Sequence, residues 1–251
     1  MVMFELDTYQ PINVLKPLAA NIWIVDGPVV GMKWLWTRIP FSTRMTIVRL
    51  ASGDLWVHSP TELTGALMEG VNALGPVRHI VAPNRIHYVW VRDWQEAYPQ
   101  ATTYAAPRVA EEAKTTGAVF DVTLDGAPAE AWGGEIAYVL APGDYLIEAD
   151  FFHKPSSTLI LTDLIENFER SKIHGGKVWR FIYRMAGVLD PQGSMPRDLR
   201  VTFRKHHAEM KHAVEVMISW RPERIVVAHG RCYTHHAVPE LVRAFSWLKV
   251  R

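Results

Sequence analysis

Short apolar runs that stop at turn residues recur along the chain, and this pattern predicts many short buried strands. Met45–Leu50 and Leu55–His58 flank a Ser-Gly-Asp turn at 52–54 and predict a β-hairpin. A Pro/Ser turn at Lys154–Ser157 precedes the apolar run Thr158–Thr162, which predicts another strand. Further strands are predicted at Arg78–Ala82, Thr102–Ala105, Glu135–Leu140, Tyr145–Phe152 and Arg224–Ala228.

Helical patterns alternate with these strands. Ser59 begins a capping-box pattern and is the predicted N-cap of a helix. Ile165–Leu189 is predicted to be helical with a break at Gly175-Gly176, and Leu199–Trp220 has the apolar spacing of a long amphipathic helix. Strands followed by helices occur twice, and no linker separates the two halves. The sequence therefore predicts an α/β fold with two β-then-α halves.

The composition is that of an ordinary globular protein, with 49% hydrophobic and 21% charged residues. A formal net charge of +1 gives no overall attraction to nucleic acid, so no nucleic-acid partner is expected. Cys232 is the single cysteine, which excludes an intramolecular disulfide and a cysteine-rich zinc knuckle. The N-terminus lacks a signal-peptide pattern, and no apolar run approaches the length of a membrane span. We therefore expect a cytoplasmic protein.

Residue types that bind metals follow three predicted strands. Asp144 stands in a Pro-Gly-Asp run, Asp163 ends the strand Thr158–Thr162, and His229 precedes a glycine after the strand at 224–228. Because loops at strand ends gather functional residues, these side chains could together hold a divalent ion such as zinc, iron or manganese. Each residue also has a structural explanation. Asp163 is a preferred N-cap for a following helix, Asp144 is a common turn residue, and His229 simply ends its strand.

The order Pro142-Gly143-Asp144, Leu161-Thr162-Asp163 and Val227-Ala228-His229-Gly230 resembles the metallo-β-lactamase superfamily over nearly the whole chain. In that family a His-x-His-x-Asp-His motif precedes a Pro-Gly-His turn, a strand ending in a metal-bridging Asp, and a strand ending in His-Gly. More narrowly, the chain resembles an uncharacterised branch of the family. The resemblance implies a four-layer αββα sandwich of one domain over residues 1–251. It also implies a metal-dependent hydrolase of a small-molecule ester, lactone or phosphoester-type substrate.

The first ligand motif of the family is degenerate in this chain. When Asn84 is placed on the first histidine, Ile86, Tyr88 and Val89 occupy the other three ligand positions. His87 matches a ligand position only after a shift of one residue. The resemblance therefore implies a reduced site that holds one divalent metal ion, zinc before iron or manganese, or none.

Within this reduced site, the resemblance assigns Asp163 and His229 as metal ligands and Asp144 as a third ligand. His87 is a fourth ligand or the general base, and His87 and Asp163 are the predicted catalytic residues. Substrate contacts are expected from four side chains in or near the same loops: Asn84, His58, Tyr88 and Tyr233.

A segment at 168–212 is predicted to be a helical insert that covers the site. Between Arg170 and His212 it carries ten Lys or Arg residues and three Asp or Glu residues. A basic cover favours an anionic substrate or an acidic partner surface, whereas the simpler explanation is a solvated helix face. The apolar run Trp179–Tyr183 would bury against a second subunit or touch a lipid interface, so monomer and homodimer both stay open.

Two other functions stay open. Loss of three of the four residues of the first ligand motif favours a metal-free member that keeps the fold as a binding or assembly module. A set of Asp and His ligands also suits a redox or oxygen-handling iron site.

Gly-x-Gly-x-x-Gly, Walker and Gly-x-Ser-x-Gly motifs are absent from the sequence, so nucleotide binding and serine-hydrolase chemistry have no support.

Overall fold

A seven-stranded sheet is the main element of the N-terminal half in the computed structural model, which describes residues 5–34, 37–127, 130–174 and 176–250. The elements of this half are β1 (Glu5–Leu6), β2 (Lys16–Ala19), β3 (Ile22–Trp34), β4 (Thr37–Arg49), β5 (Leu55–His58), α1 (Gly65–Leu74), β6 (Val77–Ala82), α2 (Val91–Ala97), β7 (Thr102–Ala105), α3 (Val109–Glu112) and β8 (Val122–Thr123). Strands β2 to β8 lie side by side in chain order. They are antiparallel from β2 to β5, which confirms the predicted hairpin, and parallel from β5 to β8.

A four-stranded sheet is the main element of the C-terminal half. The elements here are β9 (Ile136–Ala141), β10 (Glu148–His153), β11 (Thr158–Ile160), β12 (Ile173–His174), α4 (Gly176–Ala186), α5 (His207–Ser219), β13 (Arg224–Val226) and α6 (Ala237–Ala244). The strand order is β13-β11-β10-β9, and only β11 and β13 are parallel. Strand β1 pairs with β12 in a separate two-stranded ladder.

Aromatic side chains fill the space between the two large sheets. Trp56 of β5 meets Phe151 of β10 with ring centroids 5.0 Å apart, and Trp132 contacts both rings at 5.9 Å. All three residues are fully buried. Edge-to-face packing of such large rings joins the sheets through one apolar core, which is where several of the ten tryptophans are used.

Helices cover the outer faces of both sheets. On the seven-stranded sheet, α1 buries Leu67 and Val71 in the same core as the inner strands, and α2 packs against β6. On the four-stranded sheet, α5 packs against β9 and α6, and it buries Met210 and Val214. The layers are therefore helix, sheet, sheet and helix, which confirms the predicted αββα sandwich. Among the described residues, no helix is long and apolar enough to cross a membrane.

The predicted helix Ile165–Leu189 is wrong for its first part. Glu166, Asn167 and Phe168 instead form isolated β-bridges to Ser194, Gly230 and Leu189, and the α-helix begins only at Gly176. Gly175 lies outside the described residues. Asp163 therefore caps no helix, which removes the structural explanation for this residue.

Two helix starts also differ from the prediction. Thr64, and not Ser59, is the N-cap of α1, and its hydroxyl accepts from the Leu67 backbone N–H. The predicted helix Leu199–Trp220 begins with a tighter 3₁₀ segment at Leu199–His206 and becomes α-helical only at His207.

Candidate metal centre

Three side chains from distant parts of the chain meet at one end of the two sheets: His87, Asp163 and His229. The Nε2 atoms of the two imidazoles are 3.2 Å apart. His87 Nε2 lies 3.3 Å from Asp163 Oδ2, and His229 Nε2 lies 3.1 Å from Asp163 Oδ1. Because β11 and β13 are parallel neighbours, the segments that follow them bring Asp163 and His229 together. His87 comes from the loop after β6 in the other sheet.

The spacing of these atoms fits one divalent ion. Two ligands of tetrahedral zinc, each at ~2.0–2.1 Å, are separated by roughly 3.3–3.4 Å. In this structure the two Nε2 atoms are 3.2 Å apart, and each lies 3.1 to 3.3 Å from a different carboxylate oxygen of Asp163. With one ligand atom from each residue, the three atoms all lie within 4.8 Å of one another. Two imidazoles and one carboxylate also form the donor set of many catalytic zinc sites and of non-haem iron sites. The group therefore has the chemistry and the dimensions of a metal centre.

Backbone contacts hold His229 in its orientation. His229 Nδ1 lies 2.6 Å from the carbonyl oxygen of Ser42, so Nδ1 carries the hydrogen and donates it. In the neutral ring the lone pair of Nε2 then points toward His87 and Asp163. The ring of Phe41 meets the imidazole edge-on at 5.2 Å, and Phe168 stacks on it at 6.4 Å.

A buried arginine fixes the turn that carries His229. Arg44 donates to the backbone carbonyls of Val227 and Gly230, one on each side of His229. Asp26 balances the arginine charge through an ion pair at 2.7 Å. Both side chains are almost fully buried, so the pair is retained only because each charge has its partner.

Buried polar groups likewise fix Asp163. Glu148 accepts hydrogen bonds from the backbone N–H groups of Thr162 and Asp163, at 2.8 Å and 2.9 Å. The amide of Asn84 donates to Asp163 Oδ2 at 2.6 Å and to Glu148 at 3.0 Å. Asn84 Oδ1 in turn accepts from the backbone N–H of His87 at 3.1 Å. One amide side chain thus connects the loop of the N-terminal sheet to the carboxylate of the C-terminal sheet.

The charges of the group stabilise one another. Burial disfavours a charged Asp163, but His87 and His229 outweigh burial and hold the pKa of Asp163 below its usual range. Burial likewise opposes a charged His87, but Asp163, with a smaller contribution from Glu148, raises the pKa of His87 above its usual value. His87 Nδ1 lies 2.7 Å from the hydroxyl of Ser59, which has φ of 51°. The residue predicted as a helix cap therefore contacts the site histidine instead.

The group lies at the floor of a pocket of about 270 Å³. Tyr88, a predicted substrate contact, is among the residues that line this pocket, and its hydroxyl donates to the Glu112 carbonyl. Arg85 is at the rim, where it pairs with the Glu112 carboxylate and stacks on the Tyr145 ring. No described residue of 168–212 lines this pocket. The apolar part of the wall includes Val30, Phe41, Ile86 and Trp90.

Asp144, the predicted third ligand, is not part of the group. Its side chain is 47% exposed and pairs with Lys205 at 3.2 Å and His206 at 3.3 Å. The hydrogen bond from Lys205 and that from His206 lower the pKa of this carboxyl. The Pro-Gly-Asp turn therefore places its carboxylate on the surface, facing the segment before α5.

Three of the four residues predicted to contact substrate are buried away from the pocket instead. Asn84 is fully buried and is bonded to Glu148, Thr162 and Asp163, so it positions the site from behind. His58 stacks on Trp56 in the core, with 2% of its surface exposed. Tyr233 is directed toward Gly193 and Arg243 and lies in the core beneath α5 and α6.

Sequence reasoning did not single out Glu148 and Asp150. The two residues are two apart on β10, so both side chains lie on one face of the strand, and both are fully buried. Burial, with the adjacent Glu148, raises the pKa of Asp150 well above its ordinary value. Two carboxyls in a short strand that also contains Ala149, Phe151 and Phe152 are a readable signal, because unpaired buried charges are rare.

Comparison with known proteins identifies the architecture. The DIM-1 metallo-β-lactamase exposed to ceftazidime superposes with a TM-score of 0.63 at 12% identity, over 94% of this chain and 96% of that one. The metallo-β-lactamase from Pontibacter korlensis gives 0.59 at 13% identity, over 95% and 99%. FIM-1 from Pseudomonas aeruginosa, in its mono-zinc form, gives 0.58 at 12% identity, over 97% of each. This chain has the metallo-β-lactamase fold.

Sequence comparison adds little to this structural result. Residues 21–110 match the family model of a domain of unknown function (DUF4336). This part of the metallo-β-lactamase fold runs from β3 into α3 and includes the loop with Asn84 and His87. No curated protein matches the chain.

Proposed function

We propose that the protein is a metal-dependent hydrolase that holds one divalent ion on His87, Asp163 and His229 and cleaves an ester, lactone or phosphoester. The observation that carries this proposal is the three-residue group itself, whose ligand atoms, one from each residue, all lie within 4.8 Å of one another at the floor of a pocket. A metallo-β-lactamase fold is consistent with it, but fold does not determine function.

A bound divalent ion supplies Lewis-acid chemistry, which activates water and polarises a carbonyl or phosphoryl oxygen. The chain itself supplies rigidity. Glu148 and Asn84 hold Asp163, while Arg44 and the Ser42 carbonyl hold His229. Because these contacts fix the side chains in place, little reorganisation is needed when charge develops in the reaction.

The pocket walls favour an ester or a lactone over a doubly charged phosphoester. Apolar side chains form most of the wall, and they would contact an uncharged acyl group. Arg85 is the lining residue that would attract a phosphate, but Glu112 already neutralises its charge. An uncharged ester or lactone therefore fits the site better than a phosphate monoester.

Metal content measured by mass spectrometry on tag-free full-length protein tests the site. We expect about one equivalent of zinc, iron or manganese, because one set of three ligands is present. Asp163→Asn and His229→Gln should each lose the metal. Asp144→Asn is the matched control and should keep it, because Asp144 pairs with Lys205 on the surface. An apoprotein that stays empty after reconstitution would overturn the proposal.

His87 has two roles to distinguish, metal ligand and general base. If His87 is a ligand, His87→Gln loses metal and hydrolysis together. If His87 is a general base, the variant keeps the metal and loses hydrolysis of model esters and lactones. Retained metal with unchanged hydrolysis would show that His87 is neither a metal ligand nor the general base.

The second candidate is a metal-free binding module. The observation that favours it is that Asp163 already has a hydrogen-bond donor in Asn84 and an ion-pair partner in His87. Such a site is satisfied without an ion. A double Asp163→Asn/His229→Gln variant that folds and binds its ligands like the parent would support this candidate. A stoichiometric iron with oxygen-dependent spectral changes would instead support redox chemistry.

A further inference from the structure

Helix α4 presents three chemically different faces. Trp179 and Tyr183 lie on the inner face and pack in a small core cluster with Phe168. The second face is exposed and basic, because residues three and four apart project from the same side of a helix. It consists of Lys177, Arg180 and Arg184.

The third face of α4 is apolar and points to solvent. Val178, Phe181 and Met185 follow one another at i, i+3 and i+7, so they form one stripe. The three residues are 68%, 62% and 50% exposed. Single exposed apolar residues are common, but an apolar stripe along a basic helix is typical of helices that lie in the interface of a membrane.

A basic pocket adjoins this helix. It has a volume of about 630 Å³, and Arg184 belongs both to the pocket and to the basic face of α4. Asp190 is the one carboxylate among its described lining residues, and Asp190 is already bonded to Asn167 and near Arg231. Burial, with a smaller contribution from the charge of Arg197, lowers the pKa of Arg200. The arginines of the pocket are Arg170, Arg184, Arg197, Arg200 and Arg243.

Much of this positive charge is not neutralised. Arg243 has Glu240 as its partner, and Arg200 donates to the Ser194 hydroxyl and the Met195 carbonyl. In the part of the chain that the structure describes, Arg170, Arg184 and Arg197 form no ion pair with a carboxylate. Arginine guanidinium groups bind phosphate in a bidentate manner, so the pocket suits a phosphoryl headgroup.

We propose that α4 and the arginine pocket form a docking surface for an anionic phospholipid bilayer. The stripe of Val178, Phe181 and Met185 enters the boundary between headgroups and acyl chains, while the arginines contact lipid phosphates. A second copy of the chain is a poorer occupant. An isologous dimer on this face would bring two identical basic faces together, and juxtaposed like charges disfavour association.

Vesicle co-sedimentation of the full chain tests the surface. We expect binding to vesicles of phosphatidylcholine mixed with phosphatidylglycerol, weaker binding as salt rises, and little binding to phosphatidylcholine alone. Val178→Ser should lower the partition coefficient about tenfold, because a valine side chain then leaves the apolar phase. Val119→Ser is the matched control, since Val119 is 69% exposed on a different part of the surface. It should bind like the parent.

A second pair of variants tests the pocket. Arg197→Gln should lower the partition coefficient about fivefold, because one basic residue near an anionic surface is removed. Lys114→Gln removes the same charge from an exposed position outside the pocket and should leave binding unchanged.

Three outcomes would overturn the proposal. In the first, the parent chain binds neither vesicle even at low salt. In the second, Val178→Ser binds like the parent while Arg197→Gln does not, which would reduce the surface to an electrostatic anion site. In the third, sedimentation velocity shows a dimer that Val178→Ser dissociates, which would make the stripe a subunit interface.

Discussion

A single buried polar residue, His58, determines how the core beside the site responds to pH. His58 lies between Trp56 and Phe151, and its Nε2 is without a hydrogen-bond partner among the described residues. Burial, with a smaller contribution from His87, lowers the pKa of His58 to about 3. The imidazole is therefore neutral in the folded protein and behaves as one more flat ring in the aromatic core.

His58 should make the protein sensitive to acid. In the unfolded chain His58 titrates at its usual pKa of roughly 6.5, so below that pH the unfolded state binds more protons than the folded state. The free energy of unfolding then falls with decreasing pH, by about 2 kcal/mol from about pH 7 to about pH 5 through this residue alone. Urea unfolding at about pH 7 and at about pH 5 measures this decrease in the free energy of unfolding.

His58→Phe should flatten this pH dependence, because phenylalanine keeps the ring packing and does not titrate. His212→Phe is the control, since His212 is exposed and should leave the slope unchanged. Equal slopes for the parent chain and His58→Phe would show that the buried imidazole does not resist protonation.

At the scale of elements, the turn after β13 determines where His229 lies. Gly230 has φ of 99°, and a Cβ at this position would meet the backbone oxygen and carbon of Asn167 at 2.1 and 2.3 Å. Asn167 pairs with this turn, because its N–H donates to the His229 carbonyl and its carbonyl accepts from Arg231. The same pairing prevents residues 166–168 from joining a helix.

Gly230→Ala should be much more damaging than a glycine substitution at an open turn. We expect it to lower the free energy of unfolding by about 3 kcal/mol, from the strained φ and from overpacking, and to lower metal affinity. Gly53→Ala is the matched control, because Gly53 has φ of 90° but no atoms within 4 Å of the added Cβ. It should lower the free energy of unfolding by only about 1 kcal/mol. Similar losses for the two variants would contradict the close approach of Asn167.

At the scale of the whole molecule, the site joins the two halves of the sandwich. His87 belongs to the half of the seven-stranded sheet, whereas Asp163 and His229 follow strands of the other sheet. Asn84 and Arg44 also reach across, to Asp163 and to the carbonyl of Gly230. An ion held by all three side chains would therefore bind the folded chain and not the unfolded one.

Metal removal should then lower thermal stability. With free metal at about a thousand times its dissociation constant, binding stabilises the folded state by about 4 kcal/mol. Scanning calorimetry with and without chelator should show that the parent chain unfolds at a lower temperature when the metal is removed. Asp163→Asn should unfold at one temperature in both conditions. A parent chain that unfolds at the same temperature with and without metal would argue for the metal-free module.

The sequence by itself determined the layers of the fold and the places where polar residues interrupt them. Turn residues between short apolar runs predicted the hairpin of β4 and β5, and alternation of strands and helices predicted the α/β class. The resemblance to the metallo-β-lactamase superfamily implied the αββα sandwich. Asp163 and His229 were recognisable because each ends an apolar run whose first part forms a strand, β11 or β13. Strand ends, turns and burial patterns depend on residues that are neighbours along the chain, so they can be predicted from the sequence.

Only the tertiary structure decided which side chains share the site. His87 joins the group because two separate sheets meet there, and Asp144 is excluded because its turn faces Lys205 and His206. Asn84 became a positioning residue through contacts to residues 64 and 79 positions away in sequence. Distances between segments so far apart are set by sheet packing, and the spacing of residues along the chain contains no measure of them.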